Sequence, residues 1–145
     1  MNATQAPEGA PRGVSGGCLC GALRYEARGQ PLYAGLCYCA DCRKASGSGF
    51  VPYLGFKRAA ISFSGASRAF AVRAANGNQA VRNFCPVCGS LVFGGPRDSA
   101  EEFTLYAGSL DDPSQFEPTA AIFTRARAPW AVLPAHLISY AQLPP

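Results

Sequence analysis

Three short stretches decide the reading: Cys18-Leu19-Cys20, Cys37-Tyr38-Cys39-Ala40-Asp41-Cys42 and Cys85-Pro86-Val87-Cys88. They contain all seven cysteines of the 145-residue chain. An odd number excludes a complete set of disulfides within one chain, and a C-x-C disulfide closes a very small, strained ring. Thiolates that share one metal ion meet neither difficulty. Tetrahedral zinc–sulfur bonds of about 2.3 Å bring the sulfurs within about 4 Å of each other, a spacing that a short turn delivers with little further loss of chain entropy. Cys85-Pro86-Val87-Cys88-Gly89 has the form of a zinc knuckle, a tight turn between two strands. Gly89 follows the second ligand, where a positive φ is often required. One C-x-x-C alone is shared with redox motifs; three clusters in a chain this short point to metal.

The cysteines divide as four and three. Cys37, Cys39 and Cys42 lie so close in sequence that one turn can aim all three at a common ion. Cys18, Cys20, Cys85 and Cys88 then close a four-sulfur zinc site between distant parts of the chain. Such a site is coordinatively full, and its role is to staple the fold. The three-sulfur site keeps a fourth position, as a catalytic zinc does for water or substrate. In the alternative, Asp41, the single histidine His136 or another ligand completes it, and both sites are structural.

Outside the cysteines the chain reads as β-rich. Leu23, Tyr25 and Ala27 alternate with Arg24, Glu26 and Arg28, the period of a half-buried strand. Further strands are expected over 32–36, 50–56, 60–64, 68–73, 79–84, 90–93, 103–107 and 120–124, with one helical turn over 41–46. Gly65, Asn76-Gly77-Asn78 and Gly94-Gly95-Pro96 separate them, and Asp111-Asp112-Pro113 reads as the cap and first turn of a short helix. Trp130, after Pro129, is expected to plug the core. Tyr53 and Phe56 are expected there too, with either able to line a pocket. Glu101 and Glu102 read as a solvated strand entrance.

Composition agrees. Apolar residues make up 48% and charged residues 15%, with a mean hydropathy of +0.03, which excludes a solvated disordered chain. No apolar run approaches the ~20 residues of a membrane-spanning helix, and 16 Gly with 12 Pro punctuate the chain too often for a helix bundle. Zinc held by four and by three thiolates would bring the formal charge of +4 down to about +1. The 11 Arg and 2 Lys form no basic run longer than two, which argues against a nucleic-acid or membrane-surface partner. Residues 1–14 lack the apolar segment of a secretory signal. They read as a flexible leader on a single zinc-binding domain, 15–145, of the reducing cytoplasm, where disulfides are not expected.

The motifs G-x-C-x-C-G from Gly16 to Gly21, C-x-C-x-x-C-R-x-x-x-G from Cys37 to Gly47 and F-C-x-x-C-G-S from Phe84 to Ser90 resemble those of the glutathione-dependent formaldehyde-activating family. Gly108-Ser109-Leu110-Asp111-Asp112-Pro113, Ile122-Phe123-Thr124 and Pro129-Trp130 are similar to its C-terminal signature. The resemblance implies a mainly β domain of several coiled antiparallel sheets stapled by zinc. It also implies a structural zinc on Cys18, Cys20, Cys85 and Cys88, and a labile catalytic zinc on Cys37, Cys39 and Cys42. The implied activity is that of a carbon–sulfur lyase interconverting S-(hydroxymethyl)glutathione with glutathione and formaldehyde. Leu19 and Tyr38 stand where His is frequent in the family, a change that leaves the sulfur ligands untouched.

A thiol attacks formaldehyde as its thiolate. Zinc in an open all-sulfur site is a soft Lewis acid, suited to a fourth sulfur better than to making hydroxide. Glutathione brings two carboxylates, so cations are expected around the approach: Arg43 and Lys44, directly after Cys42, then Arg125 and Arg127. The competing readings are a binding module with two structural zincs, and a metal or redox sensor that uses Cys37, Cys39 and Cys42 as labile thiolates.

Overall fold

The computed structural model describes residues 13–74 and 77–145. Residues 1–12 of the expected leader, and Asn76 of the expected turn, lie outside the described residues; Val14 opens the first strand. In chain order the strands are β1 (Val14–Gly17), β2 (Arg24–Ala27), β3 (Tyr33–Cys37), β4 (Val51–Lys57), β5 (Ile61–Ser64) and β6 (Arg68–Arg73). They continue as β7 (Gln79–Phe84), β8 (Leu91–Gly94), β9 (Glu102–Tyr106), β10 (Ala120–Ile122) and β11 (Ile138–Ser139). The one α-helix among the described residues, α1 (Ala40–Ser46), follows β3. The chain is a mainly β single domain.

The alternation at Leu23, Tyr25 and Ala27 builds the first layer. These side chains are buried, and β2 sits between β1 and β5 in a three-stranded antiparallel sheet. The larger sheet has eight strands in the order β11-β10-β3-β4-β9-β8-β7-β6. Its pairings are antiparallel except at β10, which runs parallel to both β3 and β11. Leu54 and Phe56 of β4, Phe93 of β8, and Phe103 and Leu105 of β9 pack with Leu23, Tyr25 and Ala27 in the main core. Phe63 of β5 stacks on Phe93 with ring centroids 4.3 Å apart and meets Phe103 edge-on at 5.1 Å. Each such side chain removed from water contributes about 1.5–3 kcal/mol.

Because side chains alternate across a strand, the residues between these core positions look the other way. On that reverse face β4 presents Tyr53 and Gly55, β9 presents Thr104 and Tyr106, and β8 ends in Gly94. Phe56 is therefore core, as expected, while Tyr53 belongs to the opposite face.

A second core joins β3 and β10 to the C-terminal segment through Leu36, Tyr38, Ala121, Ala128, Ala131 and Leu137. Its plug is Tyr38, fully buried, whose hydroxyl donates to the Val132 carbonyl at 2.6 Å. Trp130, expected to fill this role, is 69% exposed. The chain turns at this point, with the Ala131 N–H bonded to the Ala128 carbonyl, and the two small alanines take the buried positions. The indole is left lying over Gly49, where a Cβ would stand 3.1 Å from the ring. The expected short helix is a 3-10 turn over Pro113–Gln115, capped by Asp112, whose carboxylate accepts from the Ser114 N–H at 3.0 Å. No helix among the described residues is long and apolar enough to cross a membrane.

Candidate metal centres

The structure assembles two thiol clusters, and they are the groups of four and three that the spacing suggests. In each, the sulfurs all lie within 4.8 Å of one another.

The four-cysteine cluster is made by two facing turns. Cys18 opens the turn after β1, closed by its own N–H to the Leu23 carbonyl at 2.9 Å; Cys85 and Cys88 occupy the turn between β7 and β8. Gly89 has φ +76°, as the knuckle requires, and its N–H reaches the Cys85 carbonyl at 2.8 Å. Cys18 Sγ is 3.6 Å from Cys20 Sγ, and Cys20 Sγ is 3.8 Å from Cys85 Sγ. Thiolates around a tetrahedral zinc stand about 3.8 Å apart, so the set fits that ion. The backbone supplies supporting donors: the Leu23 N–H points at Cys18 Sγ (3.2 Å) and the Val87 N–H at Cys85 Sγ (3.4 Å). Ser90 braces both turns. Its hydroxyl accepts from the Leu19 N–H at 3.0 Å and lies 3.1 Å from Cys88 Sγ, a contact that holds the Cys88 thiol down to about 5. The cluster therefore pins the three-stranded sheet to the β7–β8 end of the large one.

The three-cysteine cluster is local. Cys37 is the buried last residue of β3, Cys39 caps α1, and Cys42 lies in its first turn. Cys39 Sγ accepts from the Cys42 N–H at 3.2 Å. Contacts with Cys37 and then Cys42 hold Cys39 low, while contact with Cys39 pushes Cys37 up, so the three thiols titrate as one unit. Among the described residues no fourth ligand completes the group: neither Asp41 nor His136, both exposed, belongs to it.

This cluster opens into a cleft of about 310 Å³ on the reverse face of the large sheet. Cys37 and Cys42 form one side; Val51, Tyr53, Arg82, Thr104, Tyr106 and Glu102 line the rest. Gly94 lies on the cleft lining, and Gly35 and Gly55 leave room in the adjoining strands; rings lie over the space where their side chains would stand. A Cβ on Gly55 would stand 2.2 Å from the Tyr33 ring, one on Gly35 2.5 Å from the Tyr53 hydroxyl, and one on Gly94 2.9 Å from the Tyr106 hydroxyl. Tyr53 and Tyr106 are direct cross-strand partners. Burial, with the Cys37 thiol nearby, pushes the Tyr53 phenol up to about 12, and burial raises Tyr106 as well. Tyr33 donates to the Glu102 carboxylate at the far end.

Arg82 is the functional candidate that sequence reasoning missed. It sits half-buried in β7, and its Nη2 donates to Cys42 Sγ at 3.6 Å. Burial disfavours its charge, but the bond to Cys42 together with the nearby Cys42, Tyr106 and Cys39 groups more than offsets this and raises the guanidinium above its ordinary value. It is the sole cation among the residues lining the cleft. The alternation through β7 hints at a sheet position, but only the long-range pairing shows which way Arg82 faces. None of the four expected cations lines the cleft. Arg43 and Lys44 stand on α1 immediately after Cys42, and Arg125 and Arg127 lie in the 3-10 turn beyond β10 and at its end. Arg127 Nη1 donates to the Ala131 carbonyl at 2.6 Å, bracing the Trp130 turn. Leu19 is 91% exposed at the tip of its knuckle.

Comparison with known proteins supports a family. Residues 13–126 match the model of the glutathione-dependent formaldehyde-activating enzyme family, and the chain belongs to it. No curated protein matches the chain. The crystal structure of a Rhodobacter sphaeroides protein is similar at a TM-score of 0.49, with 22% identity, covering 67% of this chain and 87% of that one.

Proposed function

We propose that this member of the family is a zinc-dependent carbon–sulfur lyase. It joins glutathione and formaldehyde into S-(hydroxymethyl)glutathione and cleaves the adduct in reverse, or performs the same chemistry on a related small-thiol adduct. One observation carries the reading: the three-thiol cluster faces a cleft, whereas the four-thiol cluster has a complete ligand set of its own. The family description names glutathione and formaldehyde, which supports the substrate class.

The all-sulfur donor sets suit zinc, a soft-tolerant ion without redox chemistry. Cys18, Cys20, Cys85 and Cys88 would hold a structural ion, and Cys37, Cys39 and Cys42 a labile one. When bound to the trio, zinc supplies a Lewis acid that favours the thiolate form of an incoming sulfur. The chain itself provides enclosure and orientation. Tyr53 and Tyr106 wall the cleft and keep bulk water from the sulfurs, and Arg82 offsets the negative charge that collects there. Uncatalysed addition of thiols to formaldehyde already proceeds, so proximity is most of what the site must add. Arg43 and Lys44, next to Cys42 in sequence, are proposed to receive one carboxylate of the tripeptide outside the cleft; Arg125 and Arg127 are proposed for the other. The reading is of an enzyme of the reducing cytoplasm, where free thiolates persist.

The test counts metal and turnover together. Gently purified protein should carry two zinc ions per chain, and it should accelerate S-(hydroxymethyl)glutathione formation above the uncatalysed rate. Two zincs without any acceleration would sink the lyase reading and leave a metal-stapled binding module.

A further inference from the structure

The cleft is unusually rich in free donors. Among the described residues the Tyr53 and Tyr106 hydroxyls have no hydrogen-bond partner, and the Arg82 guanidinium donates to Cys42 Sγ. The carboxylate on this lining, Glu102, already accepts from Tyr33 at the far end. Among the described residues Arg82 also has no carboxylate partner; the ion pair there is Arg24 with Asp111. Donors left without acceptors in a half-buried cleft beside thiols define a place for an oxygen that carries negative charge.

The sheet geometry sets them side by side. Arg82 pairs with Gly94 across β7 and β8, Gly94 pairs with Thr104, and the Tyr106 hydroxyl stands over Gly94 in the space its missing side chain leaves. Arg82 and Tyr106 therefore flank one spot, next to Cys42. We propose that Arg82 and Tyr106 form the oxygen side of the reaction site, holding the hydroxymethyl oxygen of the adduct; this rests on the lyase reading above. In the forming direction the substrate thiolate attacks formaldehyde, and the new C–S bond takes the sulfur lone pair. The carbonyl π pair moves onto oxygen, Arg82 stabilises that alkoxide, and Tyr106 gives it the phenolic proton. Water then returns a proton to the tyrosinate. Cleavage retraces these steps: Tyr106 first gives its proton back to solvent hydroxide, the adduct's hydroxyl proton passes to the tyrosinate, the C=O bond forms, and the C–S pair leaves on sulfur.

Two measurements test the assignment, one of them independent of turnover. Arg82→Gln should lower kcat about a hundredfold with the KM for glutathione little changed, as loss of an oxyanion donor does. Tyr106→Phe should lower kcat by a similar factor. By calorimetry, wild-type protein should bind S-(2-hydroxyethyl)glutathione about tenfold more tightly than S-ethylglutathione, the worth of a hydrogen bond to a charged donor. That preference should vanish in Arg82→Gln, with zinc content and circular dichroism unchanged. An Arg82→Gln protein with wild-type kcat overturns the proposal. So does one that loses turnover yet keeps its preference for the hydroxyl analogue, because Arg82 would then act on the cysteines alone. A wild type without lyase activity would defeat the parent reading, and the analogue comparison would still decide whether Arg82 holds an oxygen.

Discussion

The two cysteine clusters use the same ligand atom and opposite architectures. The group of four draws Cys18 and Cys20 from one turn and Cys85 and Cys88 from another, joining two sheets. The group of three draws all its sulfurs from a single β3–α1 junction. The latter looks into a cleft. Sulfur chemistry alone therefore does not assign a role. What distinguishes the sites is how much of the chain each holds together, and whether anything can reach it.

The sharpest way to break this contrast is to remove one sulfur from each cluster. A structural zinc contributes about 10–16 kcal/mol and a domain's net stability is about 5–15 kcal/mol, so Cys85→Ser is expected to abolish folding, read by far-UV circular dichroism. Cys39→Ser should eliminate lyase activity while the melting temperature falls by only a few degrees. Equal thermal damage from both variants would mean that the two sites are structurally alike.

A subtler probe stays on the cleft side. Gly94→Ala places a methyl 2.9 Å from the Tyr106 hydroxyl, the movable end of a side chain. We expect kcat/KM to fall about tenfold, or about 1.4 kcal/mol, with an unchanged unfolding midpoint. Tyr38→Phe removes the bond to the Val132 carbonyl. It should cost about 1 kcal/mol, a drop of about 2–4 °C in Tm for a domain of this size.

The smallest effect belongs beside the four-cysteine turn. Arg24 forks onto Asp111 at 2.5 and 2.7 Å, and Ser15 donates to the same carboxylate. Arg24 and Ser15 together hold Asp111 down to about 2 from its ordinary 3.8. A depressed carboxyl stabilises the fold above its unfolded pKa, and that contribution disappears as pH falls from 3.8 through 2. Asp111→Asn should therefore flatten the stability profile within that acid window and leave neutral pH almost unchanged, as followed by urea midpoints.

Local chemistry was legible in the sequence; facing was not. The cysteine groupings could be read because each rests on a turn a few residues long. The strands around Tyr25 and Phe103 could be read from alternation. β1 is not legible, because Val14-Ser15-Gly16-Gly17 has the composition of a loop. Gly16 is needed there because a Cβ would stand 2.3 Å from the Tyr25 hydroxyl and from the Ser109 carbonyl, contacts formed by distant residues. Trp130 misled for a related reason: its size promised burial, but the flanking alanines turned inward. Arg82 was hidden because its neighbours across the sheet, Gly94 and Phe70, are fixed only by pairing.

The parallel insertion of β10 beside β3 has a consequence for biosynthesis. A ribosome that has released the chain through Cys88 has already supplied every ligand of the four-sulfur group. The strand that flanks Cys37, with Ile122 paired to it, is then still untranslated. A nascent chain can thus be pinned at one end while the other waits, its three thiols unshielded on that side until the later residues emerge.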